Sequence, residues 1–120
     1  MGVEVNYFFS ETNKSPVKDF VDSLDIRTQT KFFAKKKLLE DYGRSLPYPH
    51  AKHIDDGIFE LRFVGIEGNI RALYFFFHSN NVILTNGFVK KTRRTPKREI
   101  TTAKLRRKTY IEIIKTRGIK

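Results

Sequence analysis

Basic residues at the ends of three predicted strands are the side chains best placed for chemistry in this sequence. Arg62 lies in the first of these strands, Arg71 begins the second, and Lys90 and Lys91 follow the third. Arginine binds phosphate oxygens through planar, bidentate contacts, and lysine adds a point charge. A sheet that carries these cations is suited to holding a phosphate chain, and the residues leave open whether it also cuts that chain.

Proton transfer would need further groups. Glu60 or His53 is a candidate base, although a lone histidine before a turn is also typical of an ordinary surface residue. A lysine whose pKa is lowered by cationic neighbours can also move a proton. Alternatively, the two arginines pair with Glu60 and Glu67 across the hairpin. We see no acidic cluster able to bind a catalytic metal, and we expect no cofactor.

The positive charge is concentrated in the last quarter of the chain. Residues 1–89 contain 11 Lys/Arg and 11 Asp/Glu, whereas the segment from Lys90 onward contains 13 Lys/Arg and two acids and carries the whole surplus of +11. This asymmetry favours a polyanionic partner, either nucleic acid or an acidic protein. A solvated basic helix without a ligand is the alternative, and the lysines around Lys36 are most simply a solvated face.

Length and composition indicate a single folded unit. The chain has 120 residues, of which 39% are hydrophobic, and we predict one domain spanning residues 1–120. It has no cysteine, which excludes disulfides, thiolate metal sites and a cysteine nucleophile. No apolar run approaches the length of a membrane span, and the start lacks the form of a signal peptide. We therefore expect a soluble, cytoplasmic protein.

Hydrophobic periodicity predicts two helices after a first strand at residues 3–9. Ser15 is the expected cap of the first helix, and the second runs from Ile26 to Tyr42 and ends at Gly43. The second helix has a loose apolar face, made by Ile26, Thr30, Phe33, Leu38 and Tyr42. We expect these helices to form a hairpin that covers one side of the sheet, and residues 44–49 to form an ordered connector.

Three strands and a terminal helix follow. The strands are Ile58 to Val64, Ile70 to His78 and Val82 to Lys90, and Gly87 indicates a bulge or a close backbone approach. The helix after Thr95-Pro96 has an apolar stripe that needs a partner, either its own sheet or another protein. The predicted fold is α+β: a small antiparallel sheet of about four strands, an N-terminal helical hairpin packed on one face, and a C-terminal helix. Phe88 is expected in the core rather than as a platform for a nucleobase.

Three ordered motifs resemble the phage-derived, HigB-type branch of the RelE toxin superfamily. They are K-x-I-D-D-G-I-F-E-L-R at 52–62, N-I-R-A-L-Y-F-F-F at 69–77, and G-F-V-K-K-T-x-x-T-P-x-x-E-I-x-x-A-x-x-R-x-x-x-Y at 87–110. The resemblance covers about the last two thirds of the chain. It implies a RelE-like fold, in which two helices pack on one face of a small antiparallel sheet.

The resemblance also implies a function, that of the toxin in a type II toxin–antitoxin system. Members of the superfamily are typically ribosome-dependent endoribonucleases that cleave mRNA at the decoding site and thereby inhibit translation. The implied partners are the ribosome, mRNA and a cognate antitoxin, often a helix-turn-helix protein of HigA type that forms a hetero-oligomer with the toxin. Contact with operator DNA is implied only through the antitoxin, and no membrane contact is expected.

By position, the resemblance places the catalytic cations at Arg62, Arg71, Lys90 and Lys91. We predict contacts with RNA or the ribosome from Lys52, His53, Arg93, Arg94, Lys97 and Arg98. Two features depart from the family pattern. Glu60 stands where some relatives have a second basic residue, and residues 92–98 lack the tyrosine that moves a proton in some relatives.

Three functions are compatible with these residues. In the first, an mRNA endonuclease uses the 2′-OH of its substrate as the nucleophile and surrounds the phosphorane with cations, without a metal. The second is a non-catalytic RNA- or ribosome-binding module with the same basic face. The third is a protein-interaction module whose basic helix binds an acidic partner.

Overall fold

The computed structural model describes residues 2–117 and has an α+β fold, which confirms the predicted class. The elements in chain order are β1 (Glu4–Tyr7), α1 (Pro16–Asp22), α2 (Ile26–Tyr42), β2 (Ala51–Asp55), β3 (Ile58–Gly65), β4 (Gly68–Phe77), β5 (Asn81–Lys90) and α3 (Lys97–Thr116). A 3-10 turn, Gly43–Ser45, follows α2. Within residues 2–117, none of the helices is long and apolar enough to cross a membrane.

The sheet has five strands and is mixed. Its order is β1-β5-β4-β3-β2, and all neighbours pair antiparallel except β1, which runs parallel to β5. The expected sheet of about four antiparallel strands differs from it in two respects. The edge strand β2 was not expected between the connector 44–49 and the turn that precedes β3. Its sequence (AKHID) is polar, and the strand has a bulge between His53 and Asp55. The parallel direction of β1 arises from its pairing with β5, a contact between residues 4–7 and 81–84 that periodicity does not reveal.

Helices cover both faces of the sheet. On the hairpin face, Val17 and Val21 of α1 and Phe32 and Leu39 of α2 pack in one core with alternate side chains of the strands. On the opposite face, which we call the α3 face, Ala103 is fully buried in a second core with Ile58, Leu73, Phe75 and Ile83. The apolar stripe of α3 therefore packs on its own sheet. Phe88 packs against this second core, as expected.

The packed face of α2 differs from the expected one. Ile26, Phe33 and Tyr42 are exposed, whereas Thr28, Phe32 and Leu39 are buried. The apolar residues of α2 occur around much of its circumference, so the periodicity of the sequence left two faces possible. Thr28 can be buried because its hydroxyl donates a hydrogen bond to Glu67 Oε1 at 2.7 Å, in the turn between β3 and β4.

Polar side chains attach α3 to the sheet and to the turn between β2 and β3. Lys104 forms an ion pair with Asp55 at 2.7 Å, and the Arg107 guanidinium binds Asp56. On the other side, Arg106 Nη1 donates to the Thr85 carbonyl oxygen at 2.9 Å. These contacts fix the middle of α3 against β5 and against the turn that precedes β3.

The interior of β5 contains both features that Gly87 could indicate. The bulge lies at Thr85, where the register with β4 shifts. At Gly87 itself, a Cβ atom would lie 2.5 Å from the Phe20 ring of α1, so the backbone approaches that ring closely. The expectation of a close approach is therefore confirmed, and it brings α1 against the sheet.

Candidate functional site

A buried carboxylate lies at the centre of the cationic residues. Glu60 is 1% exposed, and its Oε2 accepts a hydrogen bond from Arg62 Nη1 at 2.6 Å. Arg71 Nε lies 3.7 Å from the same oxygen, and Thr95 Oγ1 donates to Oε1 at 2.7 Å. We call these four residues the Glu60 cluster. Alternation along β3 and pairing of Arg62 with Arg71 place them on the α3 face.

The two arginines of the cluster differ in exposure. Arg71 is 6% exposed, and its Nη1 donates to the Ile70 carbonyl oxygen at 2.9 Å. Burial, followed by the positive charge of Arg62, lowers the pKa of Arg71. Within residues 2–117, the buried Nε atoms of Arg62 and Arg71 have no hydrogen-bond acceptor. These two Nε atoms are closed to a ligand, so any contact with an anion must come from the partly exposed end of the Arg62 guanidinium.

Lys90 completes the cationic group at the end of β5. In the sheet register it pairs with Asn69, next to the pair formed by Arg71 and Phe88. Its pKa is lowered, first by burial and then by the positive charges of Arg71, Arg62 and Lys52, while Glu60 acts in the opposite direction. A lysine in this environment gives up its proton more readily than an exposed lysine does.

A cavity of about 560 Å³ opens between β2, the segment after β5 and the start of α3. Six of its lining residues are lysine or arginine: Lys52, Lys90, Arg93, Arg94, Lys97 and Lys104. Glu60 forms part of the wall, and Ile54 and Ile100 supply apolar surface. The cavity thus combines cations with apolar area, as a site for a nucleotide requires.

The sequence-predicted residues fall into three groups. Lys52, His53, Lys90, Arg93, Arg94 and Lys97 line the cavity. Arg62 and Arg71 lie beside it, linked to its wall through Glu60. Lys91 and Arg98 are exposed and are not part of the lining. The fold therefore brings together most of the predicted set from elements far apart in sequence.

The imidazole of His53 is already engaged. His53 pairs with Phe59 in the register, whereas Lys52 pairs with Glu60, so the two neighbouring side chains point to opposite faces. The imidazole packs edge-on against the Phe59 ring, with 5.0 Å between centroids, and its Nε2 accepts a hydrogen bond from the Gly57 N–H at 3.1 Å. His53 is thus better placed to shape the turn before β3 than to accept a proton from a substrate.

The alternative prediction was that Arg62 and Arg71 pair with Glu60 and Glu67. The structure shows this pairing for Glu60 and not for Glu67. Glu60 pairs with Arg62 along β3 and lies close to Arg71. Glu67 instead accepts hydrogen bonds from the Asp25 N–H and the Thr28 hydroxyl, both at 2.7 Å. These bonds lower the pKa of Glu67. Its carboxylate therefore connects the turn between β3 and β4 to the start of α2.

Two residues of the site were missed by reasoning from the sequence. Tyr48 is 66% exposed, and the Arg62 guanidinium carbon lies 5.1 Å from its ring centroid. Thr95 binds Glu60 across 35 positions. An aromatic residue between Pro47 and Pro49 was the available signal for Tyr48, because such a segment holds a side chain outward. For Thr95, the long-range contact has no local signal.

Within residues 2–117, no group of three or more His, Asp or Glu side chains could hold a metal ion.

Comparison with known proteins identifies the family. The sequence profile of the family described as phage-derived protein Gp49-like (DUF891) matches residues 19–108, which include the whole Glu60 cluster and most of the cavity wall. The chain belongs to the Gp49-like family. This family is RelE- and toxin-like, in agreement with the superfamily that the motifs resemble. None of the curated proteins matches the chain.

Proposed function

We propose that this Gp49-like protein is a HigB-type toxin of a type II toxin–antitoxin system and that it cleaves mRNA on the ribosome. The observation that supports this most is the Glu60 cluster, which holds the partly exposed Arg62 guanidinium close to Lys90 and the cavity cations. Guanidinium and ammonium groups in a partly desolvated site stabilise the additional negative charge of a phosphorane. Membership of a toxin-like family supports the same conclusion.

The proposed reaction is an internal transesterification of RNA. The 2′-oxygen attacks the adjacent phosphorus and loses its proton to solvent, the bond from phosphorus to the 5′-oxygen breaks, and the 5′-oxygen gains a proton. The products are a 2′,3′-cyclic phosphate and a 5′-hydroxyl. Arg62 binds a non-bridging oxygen, and Lys90, with its lowered pKa, donates the proton to the leaving 5′-oxygen. Arg71 is too buried for direct contact and acts by holding Glu60 and Arg62.

The substrate in this proposal is single-stranded. An exposed aromatic ring beside a cationic phosphate site stacks an unpaired base, which a duplex does not offer. Tyr48 has that position, because its ring faces the Arg62 guanidinium and is open to solvent. The cavity cations then contact phosphates on either side of the cleaved bond.

The proposed partners are the ribosome and a cognate antitoxin. The surplus of +11 after residue 89 favours ribosomal RNA and an antitoxin that presents acidic residues to the same surface. We expect a hetero-oligomer with a helix-turn-helix antitoxin of HigA type, through which operator DNA is contacted. Binding of the antitoxin should weaken strongly as salt concentration rises, and binding that barely changes would count against this surface.

A non-catalytic RNA- or ribosome-binding module is the second candidate function. It is favoured by one observation, which is that both Glu60 oxygens and the His53 Nε2 already accept hydrogen bonds. Neither group is therefore free to take the proton from a 2′-OH. In this second case the same cations bind RNA or block the ribosome without cleavage.

Induction of the protein in bacterial cells, followed by mapping of mRNA 5′ ends, separates these functions. New ends in phase with codons are the expected result, and they should disappear with Lys90→Ala. Lys108→Ala is the matched control, because Lys108 is an exposed α3 cation outside the cavity. Growth arrest without new ends would favour the binding module, and no effect on growth or mRNA would favour binding to an acidic protein.

A further inference from the structure

We propose that Glu60 is a positioning residue whose carboxylate holds Arg62 and the basic segment Lys90–Thr95 in the arrangement that binds RNA. It is not the proton acceptor in this proposal. The inference deepens the function proposed above and rests on it for the RNA-binding part. The anchoring of the basic segment is a property of the protein alone and is tested without RNA.

The contacts of the Glu60 carboxylate leave it no free oxygen. Oε2 accepts from Arg62 Nη1 at 2.6 Å and lies 3.7 Å from Arg71 Nε, while Oε1 accepts from Thr95 Oγ1 at 2.7 Å. The side chain is 1% exposed. A general base must come within hydrogen-bond distance of the proton that it removes. An attacking 2′-OH would have to displace Thr95 or Arg62 to reach this carboxylate.

The hydrogen bond from Thr95 fixes the far end of the basic segment. Lys90 is held at the near end by its pairing with Asn69, and residues 91–94 between the two ends are exposed. Within the segment, Thr92 Oγ1 donates to the Arg94 carbonyl oxygen at 2.6 Å. Since Thr95 and Glu60 are 35 positions apart, their hydrogen bond connects the segment directly to the centre of β3.

The balance of charge explains why an acid stands at this position. The positive charges of Arg71, Arg62 and Lys52 act on Lys90, and the carboxylate that opposes them there is Glu60. Cations brought this close together repel one another unless a counter-charge is buried with them. One carboxylate among four cations reduces that repulsion and still leaves a net positive site for phosphate.

Thr95→Val is the variant that isolates the anchor, because it removes the hydroxyl donor and keeps the branched shape. Thr95→Ser is its matched partner, since serine retains the donor to Glu60. Thr92→Val is the control on the same segment, because it removes a hydrogen bond that stays within residues 92–94. All three variants leave Glu60 and the arginines in place.

The first measurement is site-resolved trypsin cleavage after Lys91, Arg93 and Arg94 in the native protein. We expect trypsin to cleave Thr95→Val about tenfold faster than wild type, because the variant loses one hydrogen bond to a charged group. The cleavage rate of Thr95→Ser should stay close to that of wild type. Binding of a fluorescent single-stranded RNA oligonucleotide should weaken by up to about tenfold in the same variant. Equal trypsin rates in Thr95→Val, Thr92→Val and wild type would overturn the anchoring role.

The second measurement separates positioning from proton transfer. In Glu60→Gln, a positioning role predicts weaker RNA binding and a cleavage rate whose pH profile keeps its shape. If Glu60 were the general base, Glu60→Gln would bind RNA as wild type does and cleave it more slowly by about 10²-fold or more. The acidic limb of the pH profile would also be lost. These results would overturn the proposal. If wild type cleaves no RNA, the proposed nuclease activity fails, and the trypsin comparison still decides whether Glu60 anchors the segment.

Discussion

Arg71 differs from the other candidate cations because its guanidinium is buried. With an exposure of 6%, it contributes mainly as a partner of Glu60 and as part of the packing on the α3 face. Removal of the Arg71 side chain deprives Glu60 of one ion-pair partner and leaves a cavity in the packing, and both effects are destabilising. Any loss of the proposed activity in an Arg71 variant would therefore have a structural component.

We predict that Arg71→Ala lowers the free energy of unfolding by about 3 kcal/mol. Urea unfolding followed by circular dichroism measures this change. Lys91→Ala is the matched control, since Lys91 is exposed, and its effect should stay within about 0.5 kcal/mol. An Arg71→Ala protein of wild-type stability that has lost RNA binding would instead show that Arg71 contacts the substrate.

Lys90 is the residue for which charge and proton transfer can be separated. Arginine retains the positive charge but does not deprotonate, so Lys90→Arg should bind RNA nearly as wild type does and cleave about 10²-fold more slowly. Wild-type cleavage should fall as pH rises through the lowered pKa of Lys90, because the proton donor is then lost. Full cleavage by Lys90→Arg would contradict the role of Lys90 as a proton donor.

Tyr48 should contribute to binding through its ring and not through its hydroxyl. We predict that Tyr48→Ala weakens binding of single-stranded RNA by about tenfold, the effect of losing one stacked base, while Tyr48→Phe retains the wild-type affinity. Fluorescence anisotropy with a labelled oligonucleotide measures both variants. A loss of affinity in Tyr48→Phe equal to that in Tyr48→Ala would assign the effect to the hydroxyl.

At the level of elements, the turn between β3 and β4 and the start of α2 depend on one carboxylate. Glu67 accepts hydrogen bonds from the Asp25 N–H and the Thr28 hydroxyl, and its pKa is lowered below the ordinary value of 4.5. Because the folded-state pKa is depressed, the stabilisation is present above pH 4.5 and is lost as pH falls through the folded-state value.

We predict that Glu67→Gln lowers the midpoint of thermal unfolding at pH 7. The difference from wild type should decrease as pH falls below 4.5, since the unfolded wild-type chain then binds a proton at Glu67 and the folded protein follows at its lower pKa. Thermal unfolding of both proteins between pH 3 and pH 7 would measure it, with Glu112→Gln as an exposed control. A difference that is constant across this range would exclude the charge of Glu67 as its cause.

Elements that follow from local sequence patterns could be predicted, whereas elements that lack such a pattern or depend on distant contacts could not. The bounds of α2 and the places of β3, β4 and β5 follow from local periodicity, caps and turns, and they agree with the structure to within two residues. The strand β2 pairs with its chain neighbour β3 but is polar and bulged, and the parallel pairing of β1 depends on a contact with the distant strand β5. The resemblance and the charge pattern indicated Arg62 and every cavity cation except Lys104, whereas the contacts of Tyr48 and Thr95 join parts of the chain that are distant in sequence.

For the whole molecule, the sheet supplies a fixed site and the last quarter of the chain supplies the charge. The α3 face is covered by α3 over the second core, while the end near Arg62 and Lys90 is open to the cavity. Lys104 and Arg107 of α3 are paired with Asp55 and Asp56, so part of the surplus charge serves to hold the helix. The other cations of the cavity and those of residues 91–98 remain for a polyanionic partner.

The proposed reaction is tested most directly by blocking its nucleophile. Translating ribosomes would be supplied with mRNA that carries a 2′-O-methyl group at one mapped cleavage position, with the unmodified mRNA as control. We predict that the unmodified message is cut to leave a 5′-hydroxyl end and that cleavage is lost at the modified position alone. Cleavage at the 2′-O-methylated position, or inhibition of translation with both messages intact, would contradict the proposed endoribonuclease mechanism.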